Sequence, residues 1–450
     1  GDGRLFKMDV DYTSQVDEAI PKADAIAAGD VAGALDSLAN LEKLSRLGSD
    51  MKSNTRIVQH MVKLCFDGKK WDLLNDTILT LSKKRLIIKM AIAKMIRDAC
   101  EMVKKMPNEE LKMKLVDTLR TVTAGKIYVE VERARLTSLV VKKLESEGKI
   151  EEATNLILEL QVETYGSMEI KEKVEFLLEQ MRLSLARGDY IRAAIISNKI
   201  SIKFFSSDKD EIQDLKIRFY NLMIAIGLHD SKYLDVCRHY RALFDTPKIA
   251  EDTEKARMVL KCAVIYCLLA PHTNEQWDLL NRTALLRELE LVPDYKALMD
   301  LFINQELISW KNVIIRVYEK TLKKSSNGTV FDGKEGEKRW KDLHMRVGEH
   351  NMRVISKYYT QITFDRLSEL LDFPLNDMES FLCNLIVTGA VCDAKIHRPS
   401  RVVNLRARKA NMEQLDQWAN NVKKLTETLN KVSHLILKEQ MVHRNLEAMQ

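Results

Sequence analysis

The sequence predicts a mainly α protein: an α-solenoid of helix-pair repeats, then a winged-helix module, then one long C-terminal helix. Three observations carry this. Glycine and proline number only 16 and 7 among 450 residues, too few breakers for anything but long helical stretches. Glycine turns recur at intervals of about forty residues, or twice that, through the first half, the spacing of stacked helix pairs. Near the C-terminus, residues 363–408 carry two short amphipathic patterns and then two alternating ones, the order helix, turn, helix, hairpin.

The repeat comes first in the chain. Gly29-Asp30, Gly68-Lys69, Gly148-Lys149 and Gly188-Asp189 each separate two helical patterns, Pro107-Asn108 fills a vacant place in the series, and Gly227 continues it. Five residues after each glycine stands Ala34, Leu73, Ala153 or Ala193, small or apolar side chains suited to close helix packing. Val174, Leu177, Leu178, Met181 and Leu185 form one apolar stripe; Ile150, Ala153, Leu156, Ile157 and Leu160 form another. Glu130, Glu132, Arg133 and Arg135 read as a solvated face of mixed charge. Residues 1–230 are therefore expected to form the solenoid, in which no pair can bury its apolar face alone and neighbours stack into a curved rod.

Residues 231–362 stay helical but less regular, with Pro271 and Pro293 as breaks. The stretch 325–336, SSNGTVFDGKEG, is expected to be a loop, and a helix from about Glu337 to Tyr359 follows it. In 363–408, Asn376 and Glu379 have capping-box spacing just after Pro374. Met378, Phe381, Leu382, Leu385 and Ile386 then share one helix face, and Gly389 stands where a helix-ending glycine is wanted. Cys392, Ala394 and Ile396 alternate with Asp393, Lys395 and His397; Arg398-Pro399-Ser400 turns the chain, and Val403 and Leu405 resume the alternation. Residues 409–450 form the last helix. Its Leu415, Trp418, Val422, Leu425, Leu429, Val432 and Ile436 recur at spacings of three and four, a heptad seam of roughly three heptads. Such a seam either folds back on its own winged helix or joins an intermolecular bundle, and the spacing leaves both open.

The chemistry inventory is empty. There is no phosphate-cradling GxxxxGK[ST], no HExxH, no His-x-His pair and no GxSxG elbow. Cys237 with His239, and Cys262 with Cys267, lack second ligand pairs at metal-site spacing, so buried thiols and an ordinary polar histidine are the expectation. His344, His350 and His397 stand apart from any catalytic arrangement and read as surface residues. No catalytic residue, metal or cofactor is expected. Basic and acidic residues number 71 and 65, thoroughly mixed, for a net charge of +6, which indicates solvated helices more than a nucleic-acid footprint. The reading helix of the winged module presents Asn376, Asp377, Glu379, Ser380 and Asn384 outward, with no Arg or Lys between Arg366 and Lys395. Acidic groups there would be repelled by phosphates, so DNA reading is disfavoured even though Arg398, Arg401, Arg406, Arg408 and Lys409 make the wing basic. Seven scattered cysteines without a CxxC pair point to reduced thiols. GDGRLFKMDVDY has no apolar signal core, and the longest apolar run, around Ala263 to Ala270, falls far short of the ~20 residues of a membrane span. A protein of cytoplasm and nucleus is the expectation, with no membrane partner.

A helical-repeat rod capped by a winged helix is the architecture of the PCI domain. LVDTLRTVTAGKIYVEVERARLT (115–137), LILELQVETYGSMEIKEKVEFLLEQMRLSLARGDYIRAAIISNKI (156–200) and GEKRWKDLHMRVGEHNMRVISKYYTQIT (336–363) closely resemble the PCI-domain scaffolds of the 26S proteasome lid, as do GRLFKMDVDYT and KKWDLLNDTILTLSKKR (69–85). The resemblance implies a non-catalytic lid scaffold serving ATP-dependent degradation of ubiquitinated proteins. It implies as partners other PCI subunits of the lid, the lid deubiquitinase pair, the core particle and the ATPase ring. A PCI scaffold of the signalosome is the nearest alternative, and a nucleic-acid-binding winged helix a more distant one. In that family winged helices pair edge to edge and C-terminal helices gather into a bundle. Transferred here, the pairing strands fall in 390–406, with Val391, Lys395, His397, Val402, Asn404 and Arg406 as interface residues, and the bundle seam runs from Leu415 to Ile436.

Overall fold

A computed structural model describes residues 11–84, 88–207, 209–323, 330–391, 394–405 and 412–448, without the side chains of Asn376, Glu413 and residues 445–448. The chain divides into two compact units between Asp230 and Ser231.

In the first unit helices follow one another as short-linked neighbours: Thr13–Ala27, Val31–Leu47, Met51–Asp67, Trp71–Lys83, Lys89–Lys104, Glu109–Thr123, Glu130–Ser146, Ile150–Leu158, Ile170–Ala186, Tyr190–Ser197 and Asp210–His229. Most consecutive helices pack on one another, and alternate ones meet as well, Met51–Asp67 with Lys89–Lys104, Trp71–Lys83 with Glu109–Thr123 and Ile170–Ala186 with Asp210–His229, which is solenoid stacking. The spacer residues are where close packing needs them: Ala34, Ala153 and Ala193 are fully buried, and Leu73 is half-buried against the core that holds Ala34. The turn glycines act in two ways. Gly148 and Gly188 adopt left-handed backbone (φ +79° and +85°), whereas Gly68 has φ −75° and is needed because an added Cβ would lie 2.7 Å from a Val31 methyl. Its neighbour Lys69 takes the left-handed position instead. Both kinds of turn close with the amide three residues past the helix end bonding back, Lys70 to the Cys65 carbonyl and Asp189 to the Ser184 carbonyl.

Three expectations for this unit are corrected. Gly227 lies inside the helix Asp210–His229, and the chain turns four residues later, at Ser231 (φ 55°). Ile150 is 37% exposed, because it opens its helix before the packing face begins. The charges at 130–135 are not simply solvated: Glu132 is buried and accepts from Arg97 at 2.9 Å, Arg135 grips Glu172 with two hydrogen bonds, and Arg133 donates to the Arg120 carbonyl.

In the second unit, helix Thr253–Leu269 is buried along most of its length and packs on Tyr233–Phe244 and on the long helix Gly333–Tyr358. Pro293 opens the helix Pro293–Ile303, where a missing N–H costs nothing. The expected loop 325–336 is shorter at its far end. The long helix starts at Gly333, and Val330 and Phe331 are buried under it; residues 324–329 lie outside the described part. Gly336 permits this, since a Cβ there would sit 2.1 Å from the Phe331 carbonyl carbon.

The winged helix follows as helices Phe364–Leu371 and Leu375–Val387 with a small sheet. Asn376 is not the cap: the second helix starts at Leu375 behind Pro374, so Asn376 is already helical, and its side chain lies outside the described residues. Gly389 has φ +76° and ends that helix as expected. The sheet has three strands: β1 (Gln361–Thr363), β2 (Ala394–His397) and β3 (Val402–Leu405), in the order β1-β3-β2, all antiparallel. A row of stacked rings joins this module to the helices before it. Trp310 stacks on His344 at 4.3 Å, His344 on Phe373 at 4.1 Å, and Phe373 on Phe381 at 5.0 Å. His344 is thus half-buried between rings and His350 is 5% exposed, so neither is the surface residue expected; His397 is exposed.

Candidate interaction surfaces

The winged module buries one face of its sheet and leaves the other open. Val403 and Leu405 of β3 and Ala394 of β2 point into a core with Phe364, Leu367 and Leu382. Period-two alternation sends their neighbours to the opposite face, where Lys395 stands across from Asn404 and His397 across from Val402. Four of the sequence-derived interface residues are thereby brought together on one surface. Val391 is not among them: it is 4% exposed and belongs to the core. Val402 and Asn404 lie on the central strand, whose backbone is paired on both sides, so the edges belong to β1 and β2. Asn404 has a buried side-chain oxygen without a hydrogen-bond partner among the described residues. Arg406, with Arg408, Lys409, Cys392 and Asp393, lies outside the described residues. The strand β1 escaped sequence reasoning because three residues are too few to display an alternation.

The wing's basic character is partly cancelled. Arg398 donates to the Glu379 carboxylate at 2.7 Å, tying the hairpin turn to the helix that would have to read a groove. With Asp377 and Glu379 on that helix and Arg398 engaged by one of them, this surface offers little to a phosphate backbone.

The C-terminal helix Met412–Ala448 runs for 37 residues, about 55 Å at 1.5 Å per residue. Every side chain described on it is exposed. Leu415, Trp418, Val422, Leu425, Leu429, Val432 and Ile436 form the seam, with Trp418 69% and Leu425 68% exposed. The seam therefore packs on nothing in this chain's described residues. An apolar stripe of this length on a lone helix is unusual for a surface that meets only water.

The remaining polar interior is structural. Cys237 neighbours the Cys267 thiol, and that hydrogen bond together with burial holds it well above the ordinary thiol range. Cys262 points instead to Tyr240, burial pushing it up to about 11, so Cys262 and Cys267 are not partners. His239 is lowered, chiefly by burial. Among the described residues no three His, Cys, Asp or Glu side chains cluster so as to hold a metal ion, and no helix is long and apolar enough to cross a membrane.

Comparison with known proteins matches three family models along the chain: PSMD12/CSN4, N-terminal, over residues 33–252; PCI domain over 295–407; and 26S proteasome regulatory subunit RPN5 C-terminal domain over 413–444. The chain is 39% identical to 26S proteasome regulatory subunit RPN5 of Saccharomyces cerevisiae over 440 residues, 97% of this chain and 98% of the relative. It is 37% identical to 26S proteasome non-ATPase regulatory subunit 12 of Dictyostelium discoideum over 439 residues, covering 97% and 96%. COP9 signalosome complex subunit 4 of Drosophila melanogaster is 23% identical over 339 residues, covering 75% and 78%.

Proposed function

The chain belongs to the family of 26S proteasome regulatory subunits called RPN5 or non-ATPase regulatory subunit 12, and from that membership we propose how its surfaces serve a lid scaffold. It is a non-catalytic subunit of the regulatory-particle lid and associates with other lid subunits. The observation that carries the mechanism is the C-terminal helix, whose apolar seam no described part of the chain covers. Its cover comes from equivalent helices of neighbouring subunits, in a bundle that releases water from both surfaces.

The free side of β2 pairs with a strand of another winged helix, because unpaired N–H and C=O groups are satisfied by one further strand. Lys395 and His397, on that same strand, select the partner. The working division is 1–230 solenoid, 231–362 helical support, 363–408 pairing module and 409–450 bundling helix. The solenoid meets the deubiquitinase pair, the core particle and the ATPase ring, and the protein works in cytoplasm and nucleus.

Purification of the tagged full chain from cells, with identification of its companions, tests this reading. Lid subunits with proteasome ATPases and core subunits are expected. Signalosome subunits in their place would overturn the lid assignment.

A further inference from the structure

The helical part of the second unit holds a pocket of about 230 Å³ set apart from the strands and from the C-terminal helix. Its walls come from the turn after Thr253–Leu269, from the helices Asn274–Ala284 and Pro293–Ile303, and from the last two turns of the long helix. Its charge is one-sided. Arg353 and Lys357, one helical turn apart on the same face, both line it, and no carboxylate does. Two larger cavities in the first unit, by contrast, mix the signs: Asp98 and Glu101 line both, beside arginines and lysines.

The acidic groups that adjoin the pocket in sequence are engaged elsewhere. Glu349 accepts both hydrogen bonds of its fork from Arg346, at 2.6 and 2.7 Å, and Glu275 accepts from Arg238 at 2.8 Å. His350 meets the Glu306 carbonyl at 2.9 Å, which in the neutral ring is a donation. Among the described residues no side-chain hydrogen bond or ion pair engages the Arg353 guanidinium, although it is half-buried. Partial burial of this guanidinium carries a desolvation cost that the Glu349 charge, itself paired with Arg346, offsets only in part, and a further anion would offset the rest. Burial indeed lowers Arg353 from the ordinary arginine range, and it lowers His272 and His350 as well.

We propose that this pocket receives the glutamate side chain of an acidic peptide segment from a partner protein, its carboxylate on the Arg353 fork and Lys357. The apolar walls decide for a peptide side chain over a hydrated inorganic anion. Phe302, Ile303, Val354 and the 38%-exposed Trp277 offer surface to the methylenes of glutamate and nothing to the water shell of phosphate. The side-chain amides of Asn274 and Gln305 supply further donors at the pocket.

The test is fluorescence anisotropy of the full chain with a fluorescein-labelled hexaglutamate peptide at near-physiological salt. Saturable binding is expected, weakened about tenfold or more by Arg353→Gln, since the loss of a charged bidentate partner costs over a factor of ten. Lys357→Gln, at the exposed rim and harmless to folding, weakens it about threefold, the scale of a solvated ion pair. Lys94→Gln, an equal charge change in the first unit, leaves it unchanged. Absence of binding, or equal weakening by Lys94→Gln and Lys357→Gln, overturns the proposal. Displacement of the peptide by equimolar inorganic phosphate overturns it too, in favour of a small-anion site.

Discussion

Arg182 donates two parallel hydrogen bonds to Glu145, at 2.6 and 2.8 Å, across a separation of 37 residues. That separation is the repeat itself, and the relationship recurs along the first unit. Glu172 takes Arg135 from 37 residues away, Lys171 meets Glu211 at 40, Lys84 meets Glu42 at 42, and Glu179 accepts from Arg218 at 39. Each stacked pair is thus pinned to the next by charge at its rim as well as by apolar burial within. Both Arg182 and Glu145 are about a third exposed, which limits what each link contributes.

Arg182→Met is expected to lower unfolding free energy by about 1 kcal/mol, the upper range for a partly screened bidentate pair. Urea denaturation measures it, and a cycle with Glu145→Gln isolates the pair; a coupling energy of zero would mean the geometry carries no stability.

Acid should act in two stages. His344, held between Trp310 and Phe373, is pushed down to about 4 by burial, while the Asp372 charge opposes the shift. Between about 4 and the unfolded value near 6.5 the unfolded chain binds the extra proton, so this contribution is lost as pH falls through that window. Glu145 is lowered by its hydrogen bond from Arg182, and Glu179 by Arg218 and Arg182 against the opposing effect of burial. Their contribution is present above the unfolded carboxylate value and disappears only as pH falls through the lowered folded ones. Thermal melts of His344→Leu across pH 4 to 7 should be flatter than those of the native chain, and an unchanged slope would show that the ring stack does not hold the imidazole neutral.

Two glycines should respond differently to alanine. Gly336→Ala places a Cβ against the backbone of Phe331 and is expected to cost about 2 kcal/mol or more, because backbone cannot step aside as a side-chain end can. Gly148→Ala meets open space but carries φ +79°, for a cost of about 1 kcal/mol. Calorimetry of both variants checks the order.

Leu425→Asp with Leu429→Asp should leave the melting temperature of the isolated chain unchanged, since neither side chain packs on it. Incorporation into the lid should fall sharply, each lost contact being worth about 2–5 kcal/mol once buried. Native incorporation of the double variant would remove the seam from the assembly mechanism.

Much of this was legible in the chain. Breaker scarcity, the glycine period and the 363–408 pattern specified solenoid, winged helix and final helix, because helix periodicity and turn chemistry are local. The alanines at 34, 153 and 193 announced close packing by their small size and their fixed distance from a glycine. What pairs through space was not legible. The partner of Glu132 lies 35 residues upstream, β1 is recognised only by its bonds to β3, and Gly68 matters for Val31 rather than for its own φ. His350, Arg353 and Lys357 do share a helix face in sequence, spaced three and four apart. That their side chains enclose a one-signed pocket depends on Arg346 and Arg238 drawing the adjoining carboxylates away. Sequence by itself determined which segments are helices and which of their faces are apolar, since those follow from the order of neighbouring residues. Only the tertiary structure decided which faces find cover within the chain. Burial is a property of distant segments brought together, and for the C-terminal seam that cover is absent from the described chain.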